Sequence, residues 1–430
     1  MRIVAYERVL PYKSKMEAVS ETILNSLLFS VLTAIHILFL TAMHIVEIPS
    51  FFPPYGGEFC LEQSRALQAR GHEVRVVSNV QLSVKRSIRE FLTLPYGRRW
   101  TEQQGIAVLQ SYQRGVPKVV RPNVERWVTI VRSLFRDYVA RYGKPDILHA
   151  HCAKWAGYAA MLIGEEYGLP YIVTEHMPVY NYREELGPEP GTGWQLPLLK
   201  AAYERAQMVV SVSEEQTDDL SGYFGREYRR TFISNVIDTD FFYFRERRRV
   251  SDEPFRFVCP AIFTWRKGYD VLLSAFDRMK HRQVELHLAG SGTEGAAFQR
   301  LLSTCGAADR VVTHGVLDKK GIRELLWKSD AVALATRGEV QPLVLLEAMS
   351  TGIPYVSTSV VPRCERFEDA GIVVPVDDVD AFARAMDEIV EKAVDGRKLS
   401  ERVRSMASAE VVGRQLEQVL SEAIERSASR

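Results

Sequence analysis

From Met43 onward the chain alternates short apolar runs with stretches of helical period, and Gly, Pro or Asn marks most of the boundaries. Short apolar runs closed by turn residues read as strands buried on both faces, and the 3.6-period stretches between them as covering helices. Strands are expected at His44–Ile48, His72–Ser78, Asp146–His151, Tyr171–Thr174, Met208–Ser213 and Phe232–Asn235. A basic linker, Arg245–Arg249, precedes a second series at Phe255–Pro260, Val284–Ala289, Arg310–Val312 and Asp330–Thr336. Helices are expected at about Phe59–Arg70, Trp155–Tyr167, Lys320–Ser329, Asp380–Ala393 and Glu410–Ile424, with one more ending at Met279. Residues 181–197, rich in Gly and Pro, read as a surface loop. Strand and helix in alternation imply an α/β fold with parallel sheets.

The stretch from Arg337 to Gly352 carries the densest chemistry. Glu339 follows the apolar strand 330–336, and Glu347 lies eight positions later on an apolar helix. Pro342 suits the first turn of that helix, because its missing N–H would be unpaired there. Gly352 and Pro354 stop it. A carboxylate above a sheet edge, followed by the helix N-terminus at Leu343 and Val344, suits a ligand with an anionic part. Three more strand-to-helix loops have ligand character. Gly56-Gly57 lets the backbone approach a ligand and aim N–H groups at it. Arg266-Lys267 could neutralise a diphosphate. Glu175-His176 ends a buried strand, where open parallel sheets place ligand groups.

Three other patterns favour ordinary roles. Gly290–Gly295 satisfies GxGxxG, but its strand is the second of its unit and the acidic residue expected after the next strand is missing. Asp238 and Asp240 form a D-x-D at a domain junction, where turn and capping roles are favoured. His149 and His151 have no carboxylate or thiol at ligand spacing, so a core or loop role is favoured over a metal site.

A chain of 430 residues, 46% hydrophobic and 25% charged, is long enough for two cores. Its net charge of +1 argues against nucleic acid as principal partner. Five scattered cysteines without CxxC spacing read as thiols in a reducing compartment. Residues 81–144 hold thirteen Lys or Arg against four Asp or Glu, with interspersed aromatics. That is the composition of a surface for anionic membrane or a phosphorylated acceptor, or of a solvated helix face. Residues 22–46 lack charged side chains. Residues 1–42 therefore read as an upstream start artefact, a membrane segment or a cleaved signal.

Taken in order, PPYGGE (53–58), ALQARGHEV (66–74), PDILHAH (145–151), PYIVTEH (170–176), VVSVSE (209–214), ISNVIDTDFF (233–242), RKGYDVLL (266–273), HLAGSGTE (287–294) and EVQPLVLLEAMSTGIPYVST (339–358) resemble a family 4 retaining glycosyltransferase of the GT-B fold. The resemblance covers nearly all of the chain from Met43. It implies two Rossmann-like domains across a cleft: an acceptor-side domain (43–228, plus a last helix 410–430 crossing back to it) and a nucleotide-sugar domain (229–409). It places Glu339 and His176 at the donor sugar near the reacting centre and Glu347 at the ribose hydroxyls. Lys267, helped by Arg266, would bind the diphosphate, with backbone N–H groups from Gly56 and Gly57 opposite. Neither a metal nor a separate cofactor is implied. The expected partners are a nucleotide sugar and a glycan or lipid-linked acceptor, in the cytoplasm or at the inner face of the membrane, with possible contact through 81–144 and no nucleic acid.

One departure matters. The family usually carries an Arg five or six residues before the Lys, where this chain has Ile262 and Ala261. A catalytically silent GT-B subunit is therefore a second reading. A nicotinamide oxidoreductase resting on Gly290–Gly295 is a third.

Overall fold

The structure is a computed structural model that describes residues 42–84, 87–186, 193–247 and 252–429. The first domain holds β1 (His44–Pro49), β2 (Glu73–Leu82), β3 (Arg98–Gln103), β4 (Ile106–Arg114), β5 (Ile147–His151), β6 (Tyr171–Glu175), β7 (Met208–Ser211) and β8 (Arg230–Phe232). They form one sheet in the order β3-β4-β2-β1-β5-β6-β7-β8, parallel except where β3 pairs antiparallel with β4. The second domain holds β9 (Phe255–Pro260), β10 (Val284–Ala289), β11 (Val311–Thr313), β12 (Ala331–Leu334), β13 (Tyr355–Thr358) and β14 (Gly371–Val374). Its sheet, β11-β10-β9-β12-β13-β14, is wholly parallel.

Both sheets are doubly wound, and each reverses its strand order once: between β1 and β5, and between β9 and β12. The loops leaving strands at such reversals diverge and open a crevice, where open sheets bind ligands. The loop after β1 contains Gly56-Gly57, the loop after β9 contains Arg266-Lys267, and the loop after β12 contains Glu339. Three of the four stretches singled out by residue type thus leave the two crevices, and the fourth, Glu175-His176, lies at the end of β6.

The last helix, Ala409–Ala428, packs Val412, Leu416, Leu420 and Ala423 into the first domain's core with Met43, Ile45, Ala66 and Leu67. Gly413 lets it approach closely, since a Cβ there would stand 2.9 Å from the Ala66 carbonyl oxygen.

The sequence reading needs four adjustments. β8, assigned to the second domain by a boundary at 229, pairs with β7 and closes the first sheet. The loop expected at 181–197 contains parts of two helices, Val179–Leu186 and Leu196–Glu204. Buried Tyr182 and Leu199 anchor them, a pattern that the surrounding Gly and Pro obscure. A further helix, Gly396–Ala407, starts where the Asp395 side chain accepts the Lys398 N–H at 3.0 Å. The helix expected from Trp155 becomes regular at Tyr158, after an irregular turn at Ala153–Gly157. Of the proposed extension 1–42, residues 1–41 lie outside the described residues. Among those described, no helix is long and apolar enough to cross a membrane.

Candidate active site

Gly268 fixes the second domain's half of the cleft. Its φ is 61°, and a Cβ would stand 1.9 Å from the Ala335 carbonyl oxygen, so the loops after β9 and β12 lie flush. The Arg337 N–H donates to the Arg266 carbonyl at 2.7 Å. Thr336 Oγ1 donates to Glu339 Oε1 at 2.9 Å, and Lys267 Nζ reaches the same oxygen at 2.5 Å. The sequence-selected cation and carboxylate are one ion pair, with side chains 16% and 9% exposed. Arg266 turns the other way. Its guanidinium contacts the Tyr180 hydroxyl of the first domain and lies 4.7 Å from that ring's centroid.

The helix Leu343–Ser350 begins here, with its first internal bond running from the Leu345 N–H to the Pro342 carbonyl at 2.8 Å. The N–H groups of Leu343 and Val344 precede that bond, so they remain for a ligand. Glu347, one turn in, faces Lys319 and Asp238; burial pushes its carboxyl up to about 7, against the pull of Lys319. Glu62 of the opposite helix is likewise pushed up to about 7 by burial.

Across the cleft, Gly56 and Gly57 both have φ 86°. Gly57 caps the helix Glu58–Ala69, aiming its first N–H groups into the crevice. At its first turn Phe59 stacks on His176, with ring centroids 3.7 Å apart. His176 Nε2 lies 3.1 Å from His151 Nδ1, and burial and the neighbouring imidazoles push its pKa well below the ordinary value.

Two groupings escaped the sequence reading. Glu175, beside His176, is a structural hub: it accepts from the Tyr182 and Tyr203 hydroxyls at 2.9 and 2.7 Å and from the N–H groups of Ala153 and Met177. The second corrects the statement that no carboxylate accompanies His149 and His151. Glu47 on β1 is the register partner of His149 on β5, and its Oε2 lies 2.9 Å from His149 Nδ1 and 2.8 Å from His151 Nε2. All three side chains are fully buried. Their ligand atoms lie within 4.8 Å of one another, a spacing that would admit a metal ion. Of the two facing nitrogens, His151 Nε2 is hydrogen-bonded to Glu47, whereas His149 Nδ1 stands at ion-pair distance without hydrogen-bond geometry.

Asp238 is a turn residue. It accepts the Phe241 N–H at 3.1 Å and pairs with Lys319 at 3.0 Å, while Asp240 pairs with Arg404 at 2.9 Å. In the GxGxxG stretch, Gly290 serves packing: a Cβ there would stand 2.0 Å from the Ala261 carbonyl oxygen.

Two Rossmann-like domains, with Lys267, Glu339 and two helix N-termini at the mouth of the cleft, define a GT-B transferase architecture. Residues 56–241 match the family described as Glycosyltransferase Family 4, and residues 254–392 the one described as Glycosyl transferases group 1. The chain belongs to these group 1, family 4 glycosyltransferases. It is 24% identical over 381 residues to D-inositol 3-phosphate glycosyltransferase of Xylanimonas cellulosilytica, covering 83% of this chain and 86% of the relative. It is 26% identical over 279 residues to N-acetyl-alpha-D-glucosaminyl L-malate synthase of Bacillus anthracis, covering 62% and 71%. Among solved structures, sucrose-phosphate synthase of Thermosynechococcus elongatus superposes with a TM-score of 0.70 at 19% identity, over 90% of this chain and all of that one. Anabaena Alr3699/HepE in complex with UDP gives 0.65 at 17%, over 88% and 100%. The protein is a glycosyltransferase. Nothing in these likenesses favours a nicotinamide enzyme or a silent subunit.

Proposed function

We propose that this glycosyltransferase takes its sugar from a nucleoside diphosphate sugar, retains the anomeric configuration and uses neither metal nor cofactor. The observation that carries the reading is the Lys267–Glu339 pair beside the Leu343 helix N-terminus. A departing nucleoside diphosphate gains negative charge, and a fixed cation and aligned N–H groups stabilise that charge as it develops. Glu339 would hold the donor sugar and Glu347 the ribose hydroxyls, with Gly56, Gly57 and His176 closing from the other domain. The acceptor hydroxyl attacks on the leaving-group face. The bond from the anomeric carbon to phosphate oxygen breaks, the new glycosidic bond forms on that face, and the hydroxyl proton passes to a phosphate oxygen. No carboxylate nucleophile is required.

For the acceptor, we infer an anionic or lipid-linked molecule, and a role in cell-envelope or surface glycan synthesis at the inner face of the membrane. The relatives above are named for anionic acceptors, inositol 3-phosphate and L-malate. A cavity of about 670 Å³ in the first domain is lined by Phe51, Tyr55, Lys118, Trp127, Lys154 and Trp155. Val116 and Val120 of its lining are 52% and 53% exposed, and elsewhere in the basic stretch 81–144 Ile88 and Leu92 are 62% and 69% exposed. Apolar side chains on a cationic surface suit an anionic bilayer.

UDP-, GDP- and ADP-sugars should be screened for nucleotide release, with Glu339→Ala as control. Release from one donor that is lost in the variant is expected. Equal release by both proteins, or from no donor, would refute the donor reading. Flotation with anionic and neutral vesicles, comparing Ile88→Ser/Leu92→Ser with wild type, tests the membrane contact. Equal recovery of both proteins on anionic vesicles would remove it.

A further inference from the structure

We propose that Glu47 and His151 are positioning residues that hold His176 in the tautomer with a bare Nδ1, so that its imidazole accepts a hydrogen bond from a substrate hydroxyl. This rests on the reading of the cleft given above.

Glu47 is fully buried, and its Oε2 faces His149 Nδ1 and His151 Nε2 at 2.9 and 2.8 Å. The two imidazoles hold its carboxyl down to about 2, against the effect of burial. An ionised carboxylate only accepts, so His151 Nε2, which is hydrogen-bonded to it, must carry hydrogen. The other nitrogen of His149 lies 2.6 Å from Thr174 Oγ1.

His151 is neutral, because burial pushes it down to about 4. With its one hydrogen on Nε2, its Nδ1 is a lone pair. The atom opposite, at 3.1 Å, is His176 Nε2, which must therefore donate. His176 carries no second proton, since burial and the adjacent imidazoles oppose its charge. Its Nδ1 is then bare.

The surroundings agree with this chain. His176 Nδ1 is buried and has no hydrogen-bond partner among the described residues. The Phe59 ring, stacked at 20°, fixes the plane of the imidazole. The polar side chain of Asn235 interacts with it, although Asn235 Oδ1 makes no hydrogen bond of regular geometry. Turned over, the Asn235 amide would offer its NH₂ toward Nδ1, in the place that a substrate hydroxyl would take. The opposite tautomer would set a lone pair of His151 against the Glu47 carboxylate, or require a proton on one of two groups that resist it. A bare Nδ1 cannot donate, so His176 recognises a hydroxyl group and not an ether or a carbonyl at that place.

Tautomers are read directly by two-bond proton–nitrogen correlation spectra of the full chain labelled with ¹⁵N-histidine, with His176 assigned by loss of its signals in His176→Gln. A protonated Nε2 and an unprotonated Nδ1 are expected. Glu47→Leu removes the acceptor for His151. It should mix the tautomers and lower kcat by about 10- to 100-fold, leaving the donor KM within about threefold. Glu47→Gln, whose amide oxygen can take the His151 N–H, should keep the bare Nδ1 and recover most of the rate. A protonated Nδ1 in the wild type would overturn the inference, as would full turnover in a folded Glu47→Leu. A divalent ion copurifying at one per chain and bound through these histidines would also overturn it. The spectra need no donor, so failure of every nucleotide sugar would sink the reading of the cleft, whereas a protonated Nδ1 with intact turnover would sink only this inference.

Discussion

Lys267 and Glu339 meet at 2.5 Å across two loops that the close approach of Gly268 to Ala335 locks together. One ammonium thus serves a carboxylate in the free protein and would be shared with a diphosphate when the donor binds. Lys267→Met should lower kcat/KM for nucleotide release by about 10²- to 10³-fold, the usual cost of losing one preorganised charge at a developing anion. It also leaves the Glu339 carboxylate, 9% exposed, with the Thr336 hydroxyl as its remaining partner. Lys267→Arg keeps the charge but replaces a compact ammonium with a planar fork, and should recover only part of the rate. A change below about threefold in Lys267→Met would remove the cation from the mechanism.

Glu347 gives a pH dependence of known sign. Its carboxyl titrates at about 7 in the folded protein against an ordinary value of 4.5. Between these values the folded state binds more protons than the unfolded one, so stability falls as pH rises and the full cost is present above about 7. A shift of that size corresponds to about 3 kcal/mol if the group titrates alone. Glu62, raised to about 7 partly by Glu347, shares the effect and does not add a second full amount. Glu347→Gln should therefore raise Tm at pH 8 and leave it nearly unchanged at pH 4.5, while weakening donor binding through loss of the carboxylate acceptor. Calorimetry at the two pH values decides it. An equal fall in Tm at both would contradict the assignment.

Gly56 and Gly57 share φ 86° but not surroundings. A Cβ on Gly56 meets nothing within 4 Å, whereas on Gly57 it would stand 2.0 Å from the Phe51 carbonyl oxygen. Alanine at either position bears the left-handed backbone cost of about 1–2 kcal/mol. At Gly57 the backbone must also move, taking with it the N–H groups that would face the donor. Gly57→Ala should lose about 10²-fold in turnover, the scale of a 1 Å misplacement, and Gly56→Ala far less. Equal losses in steady-state rates would show that backbone conformation alone matters there.

The second domain's half of the site was legible because it is local. Strand, loop and helix from Ala331 to Ser350 carry Glu339, Leu343, Val344 and Glu347 in one stretch, and Arg266-Lys267 stands one loop away in the adjoining strand unit. Periodicity and turn residues are enough to place such groups. The first domain's half depends on sheet register. Glu47 and His151 are 104 positions apart, and only the pairing of β1 with β5 brings them together. Nothing in the local pattern around His44–Ile48 marks Glu47 as buried, since an acidic residue in a strand ordinarily marks its solvated face. The Arg266–Tyr180 contact was hidden for a related reason: Tyr180 lies in a helix that the neighbouring Gly and Pro disguised as loop.

Ile262 offers a test by gain. It occupies the loop after β9, where the family usually supplies an arginine, and it is 57% exposed. The backbone there is held by the Phe263 N–H bond to the Ser291 carbonyl at 2.9 Å and by the packing of Gly290 on Ala261, neither of which involves the isoleucine side chain. An arginine can therefore replace it with little cost to the fold. In this structure the Arg266 guanidinium contacts Tyr180 of the first domain. Ile262→Arg should add a second cation to the diphosphate site. A charge-assisted pair at a partly exposed position is worth about 1 kcal/mol, or roughly fivefold in affinity. Titration of nucleoside diphosphate by calorimetry at low and high salt reads it directly, with a gain that shrinks as salt rises. An unchanged Kd at low salt would place the diphosphate away from Ile262 and leave Lys267 and the helix N-terminus to hold it without further cations.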